Sequence, residues 1–227
     1  MKPREVLGRT QTPDGVELTL TRHVSEFAIL ANGQMLMSSR THGTEDALAV
    51  IGCAHARTLP RPRVLIGGLG MGFTLRAALD VLPPAAEICQ AELVPEVVAW
   101  NRGPLGHLAG HPLDDARVSI DERDVIAAMR SGAGRFDAVL MDVDNGPTAL
   151  TTPGNVHLYS TRGLATARAC LTPDGVLAFW SAQDDERFEH QLRDSGFSVQ
   201  REHVRGHRKT RGSRHTILVA RKRDGRG

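Results

Sequence analysis

The sequence has little cysteine, and its cysteines form no recognisable pattern. Cys53, Cys89 and Cys170 are odd in number, far apart and without a Cys-x-x-Cys pair. A disulfide framework and a cysteine-ligated zinc site are therefore not indicated. The ten histidines are scattered without the spacing of metal ligands, so we predict no metal ion.

Long apolar runs and aromatic residues are also scarce. No stretch reaches 18 uninterrupted apolar residues, and the opening MKPREVLGRT has no apolar run of signal-peptide length. We therefore expect no membrane span and a cytoplasmic protein. Aromatic residues make up 4% of the chain and do not interleave with its basic residues, so nucleic-acid binding is the weaker interpretation.

The remaining composition is that of a globular protein. Of the 227 residues, 41% are hydrophobic, which is ample for a packed core. Within residues 1–60, strand patterns are joined by the turn dipeptide Asn32-Gly33, and a helical pattern follows over 44–56. We predict a small N-terminal unit of β-hairpin and helix over 1–60 and a main domain over 61–227.

Strand and helix patterns alternate in the main domain. The predicted strands lie at 63–66, 87–93, 117–122, 136–143, 176–182, 197–204 and 215–222. Helical patterns separate most of them, and the strand at 136–143 is apolar almost throughout, as expected where both faces are covered. The alternation predicts an α/β fold with a doubly wound, mainly parallel, seven-stranded sheet.

The first of these strands runs directly into a glycine-rich turn, within RVLIGGLGMGFT at 63–74. Gly68, Gly70 and Gly72 permit backbone angles that a Cβ would forbid, and they let a ligand approach the main chain. The following helix directs unpaired N–H groups into the same space. Glycine clusters after strands are often only turns, so this pattern alone leaves a nucleotide site open.

An acid after the second strand strengthens the nucleotide hypothesis. Glu92 lies about 20 to 25 residues beyond the glycines, where dinucleotide and adenosyl folds place a carboxylate for the ribose hydroxyls. The spacing Gly68-x-Gly70-x-Gly72, rather than Gly-x-Gly-x-x-Gly, favours an adenosyl sulfonium ligand over a pyrophosphate.

Polar residues also follow the third and fourth strands, at the sheet edge where such folds bind ligands. Asp124 could accept a hydrogen bond from an adenine amine, with the backbone of Val125 serving the ring, or it could simply cap the next helix. Asp142, Asp144 and Asn145 lie at the end of an apolar strand. These three predict a site for an amine nucleophile, in which an aspartate takes a proton and Asn145 orients the amine. The alternative is an Asp-rich turn anchored on its own backbone.

Positive charge is concentrated near the C-terminus. Residues 201–223 hold nine Lys or Arg against one acid, a net +8 in a chain whose net charge is +2, so the remainder carries −6. A basic rim that includes Arg208 would repel a polycation and favour an acceptor with a carboxylate or phosphate. The alternative is a solvated hairpin tip. Trp180, near the end of the fifth strand, is a candidate for the pocket wall.

The order of these segments resembles the spermidine synthase (polyamine aminopropyltransferase) family, which shares its fold with the class I S-adenosylmethionine-dependent methyltransferases. The matching segments run from about residue 30 to 182: Asn32-Gly33-Gln34 before Glu45, the VLIGG turn, Glu92-x-x-Pro95-Glu96-Val97-Val98, the Asp124 position, FDAVLMD, His157-Leu158-Tyr159-Ser160 and LTPDGVL. The resemblance implies a Rossmann-like fold of class I methyltransferase type.

The resemblance also implies roles for individual residues. Asp142 matches the catalytic aspartate, Glu92 the ribose ligand and Asp124 the ligand of the adenine amine. By the same resemblance, the acceptor-binding residues are Gln34, Glu45 and Tyr159.

One departure from the family bears on the donor. Family members read Gly-Gly-Gly-Asp-Gly-Gly, where the aspartate holds the amino group of decarboxylated S-adenosylmethionine, and Gly70 stands at that place here. The missing charge makes room for the carboxylate of ordinary S-adenosylmethionine, so the sequence slightly favours methyl transfer to an amine. Aminopropyl transfer to a polyamine is the alternative. A non-catalytic nucleotide- or RNA-binding regulator is a third hypothesis, and a homodimer is left open.

Overall fold

The computed structural model describes residues 4–143, 156–205 and 214–223. Within them the chain forms a four-stranded sheet near the N-terminus and a seven-stranded sheet after it. None of the helices in these three ranges is long and apolar enough to cross a bilayer.

The N-terminal sheet is antiparallel and follows chain order. Its strands are β1 (Glu5–Gln11), β2 (Glu17–His23), β3 (Glu26–Ala31) and β4 (Gln34–Ser38). The sequence predicts a hairpin here, and the structure adds β1 as a further strand. A bulge between Val6 and Gly8 breaks the alternation of side chains in β1, so this strand has no regular apolar pattern to reveal it.

The second sheet carries helices on both faces. Its elements in chain order, after α1 (Gly43–Gly52), are β5 (Arg63–Gly67), α2 (Phe73–Val81), β6 (Glu87–Ala91), α3 (Pro95–Arg102), β7 (Val118–Asp121), α4 (Val125–Arg130), β8 (Phe136–Met141), α5 (Thr161–Cys170), β9 (Leu171–Ser181), α6 (Glu186–Asp194), β10 (Phe197–Arg205) and β11 (Arg214–Lys222).

The strand order is β10-β11-β9-β8-β5-β6-β7, with β11 antiparallel to both of its neighbours and the pairs from β9 to β7 all parallel. The predicted doubly wound, mainly parallel, seven-stranded sheet is therefore confirmed. Successive residues of the central strands point to opposite faces: Ile66 and Leu140 pack with α1 to α3, whereas Leu65 and Val139 pack with α4 to α6. Burial on both faces explains the continuous apolar runs of β5 and β8.

Helix α1 lies on the large sheet, although the sequence groups it with the N-terminal unit. Gly52, its last residue, approaches β8 so closely that a Cβ there would collide with the Leu140 side chain. The division of the chain at residue 60 remains a prediction.

Candidate active site

A cavity of about 190 Å³ lies at the carboxyl ends of the central parallel strands. Its base comes from the turns that follow β5, β6, β7 and β8, and its roof comes from the N-terminal sheet. The lining residues discussed below are Leu18, Ile29, Leu36, Met37, Glu45, Gly68, Gly70, Glu92, Arg123, Asp124, Val125, Asp142 and Trp180. The cavity is thus where the sheet topology predicts a ligand site.

The glycine turn forms part of the base. Gly68 has a φ of 86°, and a Cβ at this position would collide with the backbone oxygen of Asp142. Gly70 has a φ of 52° and also lines the cavity. Gly72, predicted to bind cofactor, is not part of the lining: it precedes α2, and a Cβ there would meet Asn101 and Pro112 at 3.1 Å.

Buried side chains hold three successive residues of this turn. Gln90 Nε2 donates to the Gly68 oxygen, and Asn101 Nδ2 donates to the Gly70 oxygen, each at 2.9 Å. Between them, the Leu69 N–H donates to Glu92 Oε2 at 2.9 Å. Because all three contacts involve the main chain, they set the shape of the turn before any ligand arrives.

Glu92 therefore has a structural role as well as a place in the cavity. Its Oε1 accepts from the Val94 N–H at 2.9 Å, so each carboxylate oxygen has at least one backbone donor, and the Leu93 N–H also interacts with the carboxylate. Burial raises the pKa of Glu92, and these backbone donors act in the opposite direction. A carboxylate has about four acceptor sites, so Glu92 retains the capacity to accept from a ribose hydroxyl as well.

Asp124 and Val125 lie together at the end of β7. Asp124 Oδ1 accepts from the Ile126 N–H at 2.7 Å, so the capping interpretation of this residue is correct. Both residues also line the cavity. Val125 is the first residue of α4, and an N–H at this position has no partner inside its own helix.

Two carboxyl groups from different elements face the same cavity. Asp142 follows β8, and its Oδ2 accepts from the Thr74 hydroxyl at 2.6 Å. Glu45, in the first turn of α1, accepts from the Thr44 hydroxyl at 2.6 Å. Burial, and secondarily the charge of Glu45, raise the pKa of Asp142 to about 7. Burial also raises the pKa of Glu45. A carboxyl group that titrates near neutral pH is well placed to accept a proton at that pH.

The raised pKa of Asp142 predicts a stability effect with a defined sign. Between the ordinary value of 3.8 and about 7, the unfolded chain releases this proton while the folded chain retains it, so folding becomes less favourable as pH rises. At about pH 8, Asp142→Asn should therefore raise the free energy of unfolding by about 2 to 4 kcal/mol, whereas near pH 3 it should change little.

Urea denaturation of wild type and variant at both pH values tests this expectation. Asp80→Asn is the control, because the Asp80 side chain is 62% exposed and bonds Arg76 on the surface of α2. Equal stability differences at the two pH values would contradict a raised pKa at Asp142.

Of the residues predicted to bind the acceptor, Glu45 and Trp180 line the cavity, and the Trp180 ring stacks on His215 at a centroid distance of 5.0 Å. Gln34 is exposed at the start of β4 and lies outside the lining.

Tyr159 is 8% exposed, and its ring packs against Phe179 and Phe188 in the core on the other face of the sheet. Burial of an aromatic ring among apolar side chains is favourable, which explains why Tyr159 packs in this core and does not line the cavity.

The basic hairpin is only partly described. Arg201 pairs with Glu189 at 2.5 Å and with Asp184 at 3.3 Å, and Arg214 lies 3.5 Å from Asp184. These two positive charges are therefore compensated locally. Arg208 lies outside the described residues, as do Asp144 and Asn145.

The roof of the cavity contains residues that the sequence analysis did not identify. Leu18, Ile29, Leu36 and Met37 come from β2, β3 and β4. Their only signal in the sequence is apolar character within predicted strands, which indicates a buried sheet face but not what that face covers.

The described lining is acidic. Glu45, Glu92, Asp124 and Asp142 contribute carboxyl groups, and the described cation of the lining is Arg123, which already binds Asp121 through two contacts of 2.6 Å. Within residues 4–143, 156–205 and 214–223, no three His, Cys, Asp or Glu side chains are grouped to hold a metal ion.

Several solved structures share this architecture. The chain is 18% identical to a spermidine synthase from Thermotoga maritima, with a TM-score of 0.73 over 96% of this chain and 73% of that one. A spermidine synthase in complex with the transition state analogue AdoDATO gives 18% identity and a TM-score of 0.75, over 96% and 74%. A probable spermidine synthase from Corynebacterium glutamicum gives 17% and 0.61, over 95% and 79%. No protein-family model and no curated protein matches the sequence.

Proposed function

Because the chain has the fold of the spermidine synthases, we propose that it transfers an alkyl group from an adenosyl sulfonium compound to an amine. We propose further that the group is aminopropyl and that the donor is decarboxylated S-adenosylmethionine. The observation that carries this proposal is the Asp142 carboxyl at the cavity wall, which is partly buried and accepts from the Thr74 hydroxyl at 2.6 Å. Desolvation, and secondarily the charge of Glu45, raise its pKa to about 7.

The chemistry requires only one proton acceptor. The amine lone pair attacks the carbon next to sulfur, a C–N bond forms, and the C–S bond breaks with its electrons left on sulfur as a neutral thioether. The nitrogen then carries a surplus proton, which Asp142 accepts in its ionised form. Alignment of amine and carbon in a closed cavity supplies much of the remaining rate.

The base of the cavity suits the nucleoside part of the donor. We propose that Glu92 accepts from a ribose hydroxyl and that the main chain at Gly68 and Gly70 lies against the donor. Asp124 and Val125 then bind the adenine edge, with Asp124 using carboxylate capacity beyond its helix-capping bond.

The charge of the lining favours aminopropyl transfer over the methyl transfer that the sequence alone favours. Both the decarboxylated donor and an amine acceptor are cations, and neither brings a carboxylate into an acidic cavity. The carboxylate of ordinary S-adenosylmethionine would need a cation, and Arg123 is already bound to Asp121. A buried charge without a partner is costly.

Methyl transfer remains the second candidate because of one position. At Gly70 the chain has no acid to hold the amino group of the decarboxylated donor. An acceptor with an anionic group, suggested by the basic hairpin, belongs to the same candidate. In the described part of that hairpin, Arg201 and Arg214 are already paired with acids. This pairing weakens the case for an anionic acceptor.

Calorimetric titration with the two sulfonium compounds distinguishes the candidates. We expect decarboxylated S-adenosylmethionine to bind at least about tenfold more tightly than S-adenosylmethionine, because a desolvated, unpaired carboxylate costs about 1.4 kcal/mol or more. The opposite ranking would favour methyl transfer. Absence of binding by both compounds would reject the proposed function.

A further inference from the structure

Thr74 donates its hydroxyl proton to another element of the fold. It is the second residue of α2 and is buried, and its Oγ1 donates to Asp142 Oδ2 at 2.6 Å, across 68 residues of chain. Threonine hydroxyls in helices often bond a carbonyl oxygen three or four residues earlier in the same helix. The Thr74 hydroxyl instead links the helix after the glycine turn to the end of β8.

This contact distinguishes the two oxygens of the Asp142 carboxyl. A hydroxyl has one proton, and the second oxygen near Thr74 Oγ1 is the Glu45 main-chain oxygen at 3.5 Å, a much weaker contact. Within the three described ranges of the chain, no group donates a hydrogen bond to Asp142 Oδ1. Because Asp142 lines the cavity, Oδ1 is the oxygen available to a bound amine.

The groups around Asp142 act on its proton in opposite directions. Burial, and secondarily the charge of Glu45 on α1, raise the pKa of Asp142, whereas the Thr74 hydrogen bond lowers it. Loss of the Thr74 hydroxyl would therefore keep the carboxyl protonated up to a higher pH. The other ionisable groups of the described lining are Glu92, Arg123 and Asp124.

We infer that Thr74 is a positioning residue, whose hydroxyl holds Oδ2 of Asp142 and leaves Oδ1 as the oxygen that accepts the amine proton. The inference rests on the proposed function. The C–N bond forms and the C–S bond breaks with its electrons left on sulfur, and the surplus proton on nitrogen then passes to Oδ1. Thr74 itself is outside the described lining, so its effect on the reaction passes through Asp142.

Thr74→Val tests this role, because it removes the hydroxyl and nearly preserves the shape of the side chain. The pH at which kcat is half-maximal should rise by about one unit or more, since the ionised carboxylate loses a charge-assisted hydrogen bond. Near neutral pH, this shift should lower kcat about fivefold or more. Thr74→Ser keeps the hydroxyl and should return the half-maximal pH to that of wild type.

A double variant tests whether Thr74 acts only through Asp142. In an Asp142→Asn background no carboxylate remains to be held, so the addition of Thr74→Val should lower kcat by less than about twofold. If the losses of the two single variants multiply instead, Thr74 contributes independently of Asp142 and the positioning role is overturned.

Thr216→Val is the matched control. The Thr216 hydroxyl also donates to an aspartate, Asp184, and Thr216 is 1% exposed on β11, outside the described cavity lining. This variant should lose stability in urea to a similar extent and leave the half-maximal pH of kcat unchanged. Thr74→Ala is a second variant without the hydroxyl, in case valine disturbs folding.

A measurement without turnover separates this inference from the proposed function. NMR of the side-chain carboxyl carbons follows the titration of Asp142, whose signal is identified by its loss in Asp142→Asn. If transfer occurs but Thr74→Val titrates as wild type does, the role of Thr74 is wrong and the proposed function stands. If the titration moves to higher pH in Thr74→Val but wild type transfers no group from either sulfonium compound to an amine, the hydrogen-bond effect stands and the proposed function is overturned.

Discussion

Asp142→Asn is expected to lower kcat for aminopropyl transfer by about 10²- to 10⁴-fold, the range for loss of a positioned general base. Asparagine has nearly the same shape and keeps an oxygen that can accept from the Thr74 hydroxyl, so the cavity should keep its geometry. Only the capacity to bind a proton is lost. Affinity for the nucleoside should therefore change less than about threefold, which makes this a defect in turnover and not in binding.

The pH dependence of the rate provides a second signature of the same group. In wild type, kcat should rise as pH increases through about 7, because Asp142 must be ionised to accept the proton. The residual activity of the variant should lack this rise. Steady-state kinetics over a series of pH values, with calorimetry of the nucleoside at one of them, measures both effects.

Asp121→Asn is the matched control for these measurements. Asp121 ends the parallel strand β7, just as Asp142 follows β8, but its carboxylate binds Arg123 and is outside the cavity lining. The control should retain activity within a few-fold of wild type. Full activity of Asp142→Asn, or an unchanged pH profile, would reject the catalytic role of Asp142.

Glu92→Ala is expected to weaken nucleoside binding by about 10- to 100-fold and to lower stability. Loss of the hydrogen bond from a ribose hydroxyl to a carboxylate accounts for the affinity change, at about 1.5 to 3 kcal/mol per charged hydrogen bond before compensation by water. The Leu69 and Val94 N–H groups lose their acceptor as well. Each buried N–H without a partner costs about 1 to 3 kcal/mol.

The two effects of this substitution need to be separated, because a displaced glycine turn would also weaken binding. Asn101→Ala removes the donor to the Gly70 oxygen from a residue that is 1% exposed and outside the cavity lining. The Asn101→Ala variant measures how far displacement of the glycine turn alone weakens nucleoside binding. Calorimetry should show a much larger loss for Glu92→Ala than for Asn101→Ala at similar loss of stability. Equal losses would mean that Glu92 acts only by holding the turn.

The sequence predicts the large sheet well because its central strands are covered on both faces. The apolar runs of β5 and β8 follow directly from that burial. The polar residues after β6, β7 and β8 are predictable for a related reason. Parallel strands present their carboxyl ends at one edge of the sheet, and burial of polar side chains elsewhere is costly. Glu92, Asp124 and Asp142 are accordingly found together in the cavity.

The roof of the cavity was not predictable in the same way. Leu36 and Met37 reach the cavity because β4 contains an extra residue, and an extra residue breaks the alternation from which the buried face of a strand is predicted. Tyr159, in contrast, is predicted to bind the acceptor but does not line the cavity. Its place in a family-like segment implies acceptor binding, but position in a segment does not determine to which side of the sheet a ring turns, and its phenylalanine neighbours hold it in the core.

The contact between Gly68 and Asp142 limits how this protein can diversify. The Asp142 N–H bonds the Gly67 oxygen at 2.9 Å, and the Asp142 oxygen occupies the space that any side chain at 68 would need. The proposed nucleoside support and the proposed proton acceptor thus share one junction, so we expect a substitution there to damage both together. Evolution of a new substrate range is free to act instead on the peripheral sheet, where β4 contributes wall residues without touching that junction. We expect natural variants of this enzyme architecture to keep the junction constant and to differ mainly in the roof.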